Sequence, residues 1–154
     1  MGSEHYMNVH PTKSHCMQNI VLDTNSLIMA ISANNEYYKV WQDFLDGRYN
    51  LCVSNEILEE YIEVIGRNLK PVFADMISNV ILNSDNVILV DPTFSFGLIT
   101  ADPDDNKFVD CAIVSNARYI VTQDRHFNVL KNISFPHVEV IGIDDFLEEL
   151  KELP

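Results

Sequence analysis

Apolar residues along this chain follow two alternating rhythms. Short solid runs lie at Asn19-Ile20-Val21-Leu22-Asp23, Asn50 to Ser54, Asn86 to Val90, Tyr119 to Thr122 and Val138 to Ile141. Runs of this length, rich in β-branched residues and bounded by polar ones, predict parallel strands buried on both faces. Between them the apolar positions recur at helical spacing. One helical segment runs through Leu27, Ile28 and Ile31, and a second through Tyr37, Tyr38, Val40, Trp41, Phe44 and Leu45 until Gly47 stops it. Ser54 is a natural N-cap for a helix carrying Ile57, Leu58, Tyr61, Ile62 and Ile65. After Gly66 another helix starts near Pro71, with Phe73, Met76, Ile77, Val80 and Ile81 expected inward. The second half continues with helices over Asp105 to Ser115, Phe127 to Leu130 and Asp144 to Leu150. Strand and helix alternating at these lengths predict a three-layer α/β/α fold around a central parallel sheet of four or five strands.

The segment before the first strand, residues 1–18, is polar, has neither periodicity and reads as a tail ahead of a single domain over 19–154. Its His5, His10 and His15 are spaced unlike any compact zinc site. A chain of 154 residues with 47% hydrophobic content is enough to fill one core. The three cysteines, Cys16, Cys52 and Cys111, are odd in number and far apart, which points to a reducing, cytoplasmic setting. No apolar run reaches the roughly 18 residues of a membrane span.

Charge then narrows the chemistry. Twenty-three acidic against 10 basic side chains give a formal net charge of −13, so a broad basic surface for nucleic acid is excluded. A phosphate-bearing substrate would need local help, and a bound divalent cation supplies it by inverting the local field.

In open α/β sheets the ligand crevice lies beyond the carboxyl ends of the strands. Asp23 closes the first strand and Asp124 follows Tyr119-Ile120-Val121-Thr122-Gln123, so both should enter that crevice. Two further acids come from helices. Asp105 opens the helix whose inward residues are Phe108, Val109, Ala112 and Ile113, with Asp102 and Asp110 as supporting acids nearby. Glu60 borders the apolar stripe of its own helix, whereas Glu59 and Glu63 turn outward. Four carboxylates gathered together repel one another, an arrangement a fold accepts chiefly when a cation neutralises it. Their all-oxygen character selects Mg²⁺ or Mn²⁺ over Zn²⁺. The mutual repulsion should raise the pKa of at least one acid, with Asp23, the least exposed, the one expected. Thr24, Asn25 and Thr122 are placed either to orient these groups or simply to serve as turn and cap residues. Lys107, Arg125 and His126 adjoin the acids and are either contacts for substrate phosphate or plain solvated surface. Trp41, Tyr37, Tyr38 and Phe44 fit core packing better than base stacking.

Four stretches in order, Val21-Leu22-Asp23-Thr24-Asn25, Ser54-Asn55-Glu56-Ile57-Leu58-Glu59-Glu60-Tyr61, Asp102-Pro103-Asp104-Asp105-Asn106-Lys107-Phe108 and Ile120-Val121-Thr122-Gln123-Asp124, resemble the PIN-domain nucleases over residues 19–146. The resemblance implies a metal-dependent endoribonuclease acting on RNA, often the toxin of a toxin–antitoxin pair with an antitoxin protein as partner, and often a homodimer. It implies Asp23, Glu60, Asp105 and Asp124 as the catalytic, metal-holding acids. Two other readings compete. A doubly wound phosphatase would want a second Asp where Asn25 stands. A catalytically inactive interaction module would have no reason to keep like charges together.

Overall fold

The computed structural model describes residues 17–154. The first 16 residues, with His5, His10, His15 and Cys16, lie outside it, and with them most of the expected tail. Five strands form one parallel sheet: β1 (Asn19–Leu22), β2 (Asn50–Val53), β3 (Val87–Leu89), β4 (Tyr119–Val121) and β5 (Val140–Ile141). Their spatial order is β3-β2-β1-β4-β5, with Ile20 in register with both Leu51 and Tyr119, and Val121 with Ile141. The flanking helices are α1 (Thr24–Ile31), α2 (Tyr38–Leu45), α3 (Asn55–Asn68), α4 (Pro71–Leu82), α5 (Asn106–Ser115) and α6 (Ile143–Lys151). This is the expected three-layer α/β/α arrangement.

The core follows from the sequence rhythm. Ile20, Val21, Leu51, Val53, Ile120 and Val121 are buried because helices cover both faces of the central strands. α5 lies across β1, β2 and β4 with Phe108, Val109, Cys111 and Ala112 inward, and Asn116 closes it at φ 54°, a left-handed conformation Asn tolerates. Trp41 and Phe44 pack at 5.2 Å between ring centroids, and Tyr49 meets Phe146 edge-on at 5.4 Å, so these aromatics serve the core. Tyr37 is half-buried and donates its hydroxyl to Asp144 at 2.7 Å.

Three expectations are corrected. On α4 the buried stripe is Ala74, Ile77 and Ile81, while Met76 is 51% exposed, because it stands one residue off that stripe and so about 100° around the helix. The segment after Asp124 is a 3-10 helix over Arg125–Asn132, longer than the short helix expected. The helix expected from Asp105 opens as a 3-10 turn, Pro103–Asp105, with Asp102 accepting from the Asp104 amide at 3.3 Å.

The order of the strands locates the crevice. From β1 the chain moves to β2 and β3 on one side and later returns to β4 and β5 on the other. The connections therefore diverge between β1 and β4, and the gap they leave lies at those strands' carboxyl ends.

Candidate active site

Asp23 enters this gap directly from β1. It is the N-cap of α1, with one carboxylate oxygen accepting from the Ser26 amide at 2.8 Å. Its other oxygen accepts from the Thr122 hydroxyl, one residue past β4. That same hydroxyl accepts from the Asp124 amide at 3.0 Å, so Thr122 ties the first and last acids of the sequence together. The Asp124 carboxylate caps the following 3-10 helix by accepting from the His126 amide at 2.9 Å. Gln123, between them, accepts from the Ile143 amide at 2.9 Å and braces this loop against α6.

Glu60 arrives from α3. Tyr61 fixes that helix by donating its buried hydroxyl to the Leu22 carbonyl at 2.6 Å, immediately before Asp23. Glu60 then accepts from the Thr24 hydroxyl and pairs with Lys107 at 2.7 Å. Lys107 also pairs with Asp104 at 2.9 Å, and its side chain is only 9% exposed. Its ammonium is thus turned onto two carboxylates, where sequence reading allowed a phosphate contact or free surface.

Asp105 lies on the Asp124 side of the gap. His126 Nδ1 lies 3.5 Å from Asp105 and 3.4 Å from Asp124. One oxygen of Asp102, one of Asp105 and a ring nitrogen of His126 lie within 4.8 Å of one another. An imidazole, read from sequence as a phosphate contact or solvated surface, thus stands beside two of the acids. Asp105 Oδ2 is buried without a hydrogen-bond partner. Asp43 Oδ2 also lacks a hydrogen bond, yet it has the Lys39 ammonium at 3.1 Å; among the described residues Asp105 Oδ2 has no Lys or Arg beside it, only the His126 imidazole at 3.5 Å. A buried oxygen left unsatisfied beside like charges is a ligand position suited to a hard divalent cation, so the residues present fit a metal.

The electrostatics agree. Burial pushes the Asp23 carboxyl above its ordinary range, against the pull of its Thr122 and Ser26 hydrogen bonds, and the Asp124 charge adds a smaller push. Desolvation, more than the expected mutual repulsion, sets that shift. Asp105 is pushed up to about 6 by burial, then by Asp102 and Asp124, with His126 pulling the other way. Lys107 holds Asp104 below the usual carboxylate range. Burial lowers the Lys107 pKa, but Glu60 and Asp104 outweigh it and hold the ammonium charged.

The other residues singled out from sequence lie further off. Asn25 and Arg125 are exposed beside Asp23 and Asp124. Asp110 is buried on α5 and accepts from the Phe96 amide at 3.1 Å, so it pins a loop. Sequence reading missed Tyr61 and Ser26 as positioning groups. The Ser26 hydroxyl donates to the Val121 carbonyl at 3.0 Å, a contact that no local pattern announces.

No curated protein matches the sequence. Among solved structures, the chain is similar to VapBC2 from Rickettsia felis bound to a DNA fragment from their promoter. The identity is 19% over 80% of this chain and 98% of that one, with a TM-score of 0.57. It is also similar to DNA-bound VapBC from Salmonella typhimurium, at 18% identity over 82% of this chain and 99% of that one, with a TM-score of 0.55. These likenesses establish the fold. The PIN domain family itself matches residues 19–126, which takes in β1, all four acids and the Thr122 bridge. The chain belongs to the PIN domain family.

Proposed function

We propose that this PIN domain hydrolyses phosphodiester bonds in single-stranded RNA with a divalent cation, Mg²⁺ or Mn²⁺, held among Asp23, Glu60, Asp105 and Asp124. PIN domains are generally nucleases. The observation that carries the metal reading is Asp105 Oδ2, buried without a hydrogen bond, with only the His126 imidazole at 3.5 Å and with Asp102 and Asp124 close enough to raise its pKa. A cation bound there lowers the pKa of a water and polarises a phosphoryl oxygen, so no protein nucleophile is required. The chain's own groups do the rest. Thr122 keeps Asp23 and Asp124 in fixed relation, and Thr24 orients Glu60. Lys107 supplies the counter-charge that holds Glu60 in place. Exposed Arg125, next to Asp124, is available to a substrate phosphate, and Lys107 could join it only by leaving its carboxylates. The imidazole of His126 favours Mn²⁺ within the pair, because nitrogen ligands suit transition ions.

The likeness to VapBC structures supports a role as the toxin of a toxin–antitoxin pair, with an antitoxin protein as partner. The free, buried Cys52 and Cys111 support a cytoplasmic setting, and among the described residues no helix is long and apolar enough to cross a membrane. The test is cleavage of an end-labelled single-stranded RNA by the full chain. Product should appear with Mn²⁺ or Mg²⁺, vanish with chelator and return when the ion is restored. Undiminished cleavage in excess chelator would sink the metal mechanism.

A further inference from the structure

The irregular segment between β3 and the Pro103 turn is held by two side chains of α5. Asp110 accepts from the Phe96 amide at 3.1 Å, and Asn106 exchanges two hydrogen bonds with the backbone of Ile99, at 2.9 and 2.8 Å. Pinned there, the segment presents Phe94 at 71% exposure, with Phe96 beside it at a centroid distance of 6.1 Å and a 55° tilt. The two rings do not stack on each other, so a face of Phe94 stays open. A side chain that large and apolar, fixed at the surface by buried hydrogen bonds, is held there at a solvation cost.

Phe94 also forms one wall of a pocket of about 270 Å³ whose other walls include Ser54, Glu56, Asp104, Lys107 and Asp110. That volume is just below the roughly 300 Å³ at which pockets for drug-sized ligands begin, which suits one flat ring system. Among the described residues its charged walls are the carboxylates of Glu56, Asp104 and Asp110 and one cation, Lys107, which is committed to Glu60 and Asp104; Ser54, Thr93, Ser95 and Asn106 add neutral hydroxyl and amide groups. Such walls repel a phosphate and accept from N–H donors. Lys107 and Asp104 belong both to this pocket and to the surroundings of Glu60, so an occupant would sit next to the acids.

We infer that the pocket binds one nucleobase of the RNA, stacked on Phe94 and held by its amino edge on Glu56 and Asp110, with its phosphates kept outside. This rests on the ribonuclease reading for its substrate and adds a base preference to it. Guanine, whose ring N–H and amino group can both donate to one carboxylate, is preferred, and uracil, with no amino group, is disfavoured. Stacking supplies affinity that an acidic protein cannot draw from phosphates.

The test uses the metal-free full chain and free nucleosides, which carry no phosphate. In ¹H–¹⁵N NMR titrations guanosine should shift the amides of residues 93–97 and bind about 10-fold more tightly than uridine. Phe94→Ala should remove most of the guanosine affinity, and Glu56→Gln should shrink the preference over uridine. With RNA substrate, Phe94→Ala should raise KM about 10-fold and leave kcat in place. Equal affinity for the two nucleosides, or indifference to Phe94→Ala, overturns the proposal. Shifts absent with both nucleosides also overturn it and leave the aromatic pair to a protein partner. Because the titration needs no cleavage, a guanosine preference without RNA hydrolysis would reject the ribonuclease reading alone, and hydrolysis without the preference would reject the pocket alone.

Discussion

The two ends of the sheet carry residues of nearly the same shape and opposite chemistry. At the amino end, Asn19 donates to the Ser115 carbonyl at 2.9 Å and accepts from Asn50 at 3.0 Å. Asn86 donates to the carbonyls of Phe44 and Tyr49 at 2.9 and 2.8 Å. At the carboxyl end stand Asp23, Asp105 and Asp124, with raised pKa values for the first two and, on the second, a buried oxygen without a hydrogen bond. Asn and Asp differ by one polar atom, so shape did not make the choice. A neutral amide joins strand ends to neighbouring loops with its donors satisfied. A buried carboxylate does the same job at a desolvation cost, which the proposed cation would offset. Asp43 sharpens the point: as buried as Asp23 but on α2, it is paired with Lys39 at 3.1 Å and Arg48 at 3.9 Å.

Substitutions at the two ends should therefore separate activity from stability. The largest effect is expected for Asp23→Asn, which should cut RNA cleavage by more than about 100-fold, since even groups that only support metal ligands are worth 10–100-fold. Its melting temperature in chelator should hold or rise, because a buried charge is removed while the Ser26 amide keeps an acceptor. A large loss of melting temperature would make Asp23 a structural residue like the asparagines. Next comes Thr122→Val, which deletes the hydroxyl shared by Asp23 and the Asp124 amide. It should lower cleavage by about 10–100-fold and stability by about 1–3 kcal/mol, both effects in one variant. Unchanged cleavage would show that the bridge does not position the acids. At the other end, Asn86→Ala should cost about 1–3 kcal/mol in denaturant unfolding and leave cleavage unaltered. A matching loss of cleavage at a temperature where the variant is folded would erase the distinction.

The smallest effect is a pH dependence confined to the acid end. The folded-state pKa of Asp105 is about 6, above its unfolded value of 3.8, so the folded state binds this proton more tightly. The stabilisation from protonation is complete below the unfolded pKa and is lost as pH rises through the folded one. In metal-free buffer, the melting temperature of the wild type relative to Asp105→Asn should climb as pH falls from 7 towards 5. Asp23, also raised, is common to both proteins and cancels in this difference, while adding to the rise of each at low pH. Parallel pH profiles for the two proteins would contradict this.

Much of the architecture could be read from sequence because buried parallel strands are short, solid and bounded by polar residues. Asp23 and the Asp124 segment were legible for the same reason: a carboxylate that ends such a run is delivered to the crevice by the sheet itself. Glu60 could be told from Glu59 and Glu63 by helical phase, and it is half-buried where they are exposed. The partners of these acids were not legible. Lys107 follows Asp105 by two residues but turns to Glu60 on α3, a contact 47 positions away in sequence that depends on how α3 and α5 pack. His126 joins Asp105 and Asp124 only because Asp124 caps a 3-10 helix and brings its second residue back over the carboxylate. Met76 shows the reverse limit. An apolar residue at the edge of a stripe carries no mark of which side of the boundary it falls on.

Binding of Mn²⁺ to the full chain, followed by calorimetry in the wild type, Asp105→Asn and Asn86→Ala, tests most directly whether the acid end is maintained for a cation. Wild type and Asn86→Ala should bind Mn²⁺ with the same affinity, and Asp105→Asn, which removes the buried carboxylate oxygen without a hydrogen bond, should lose most of it. Wild-type affinity in Asp105→Asn would overturn the cation site.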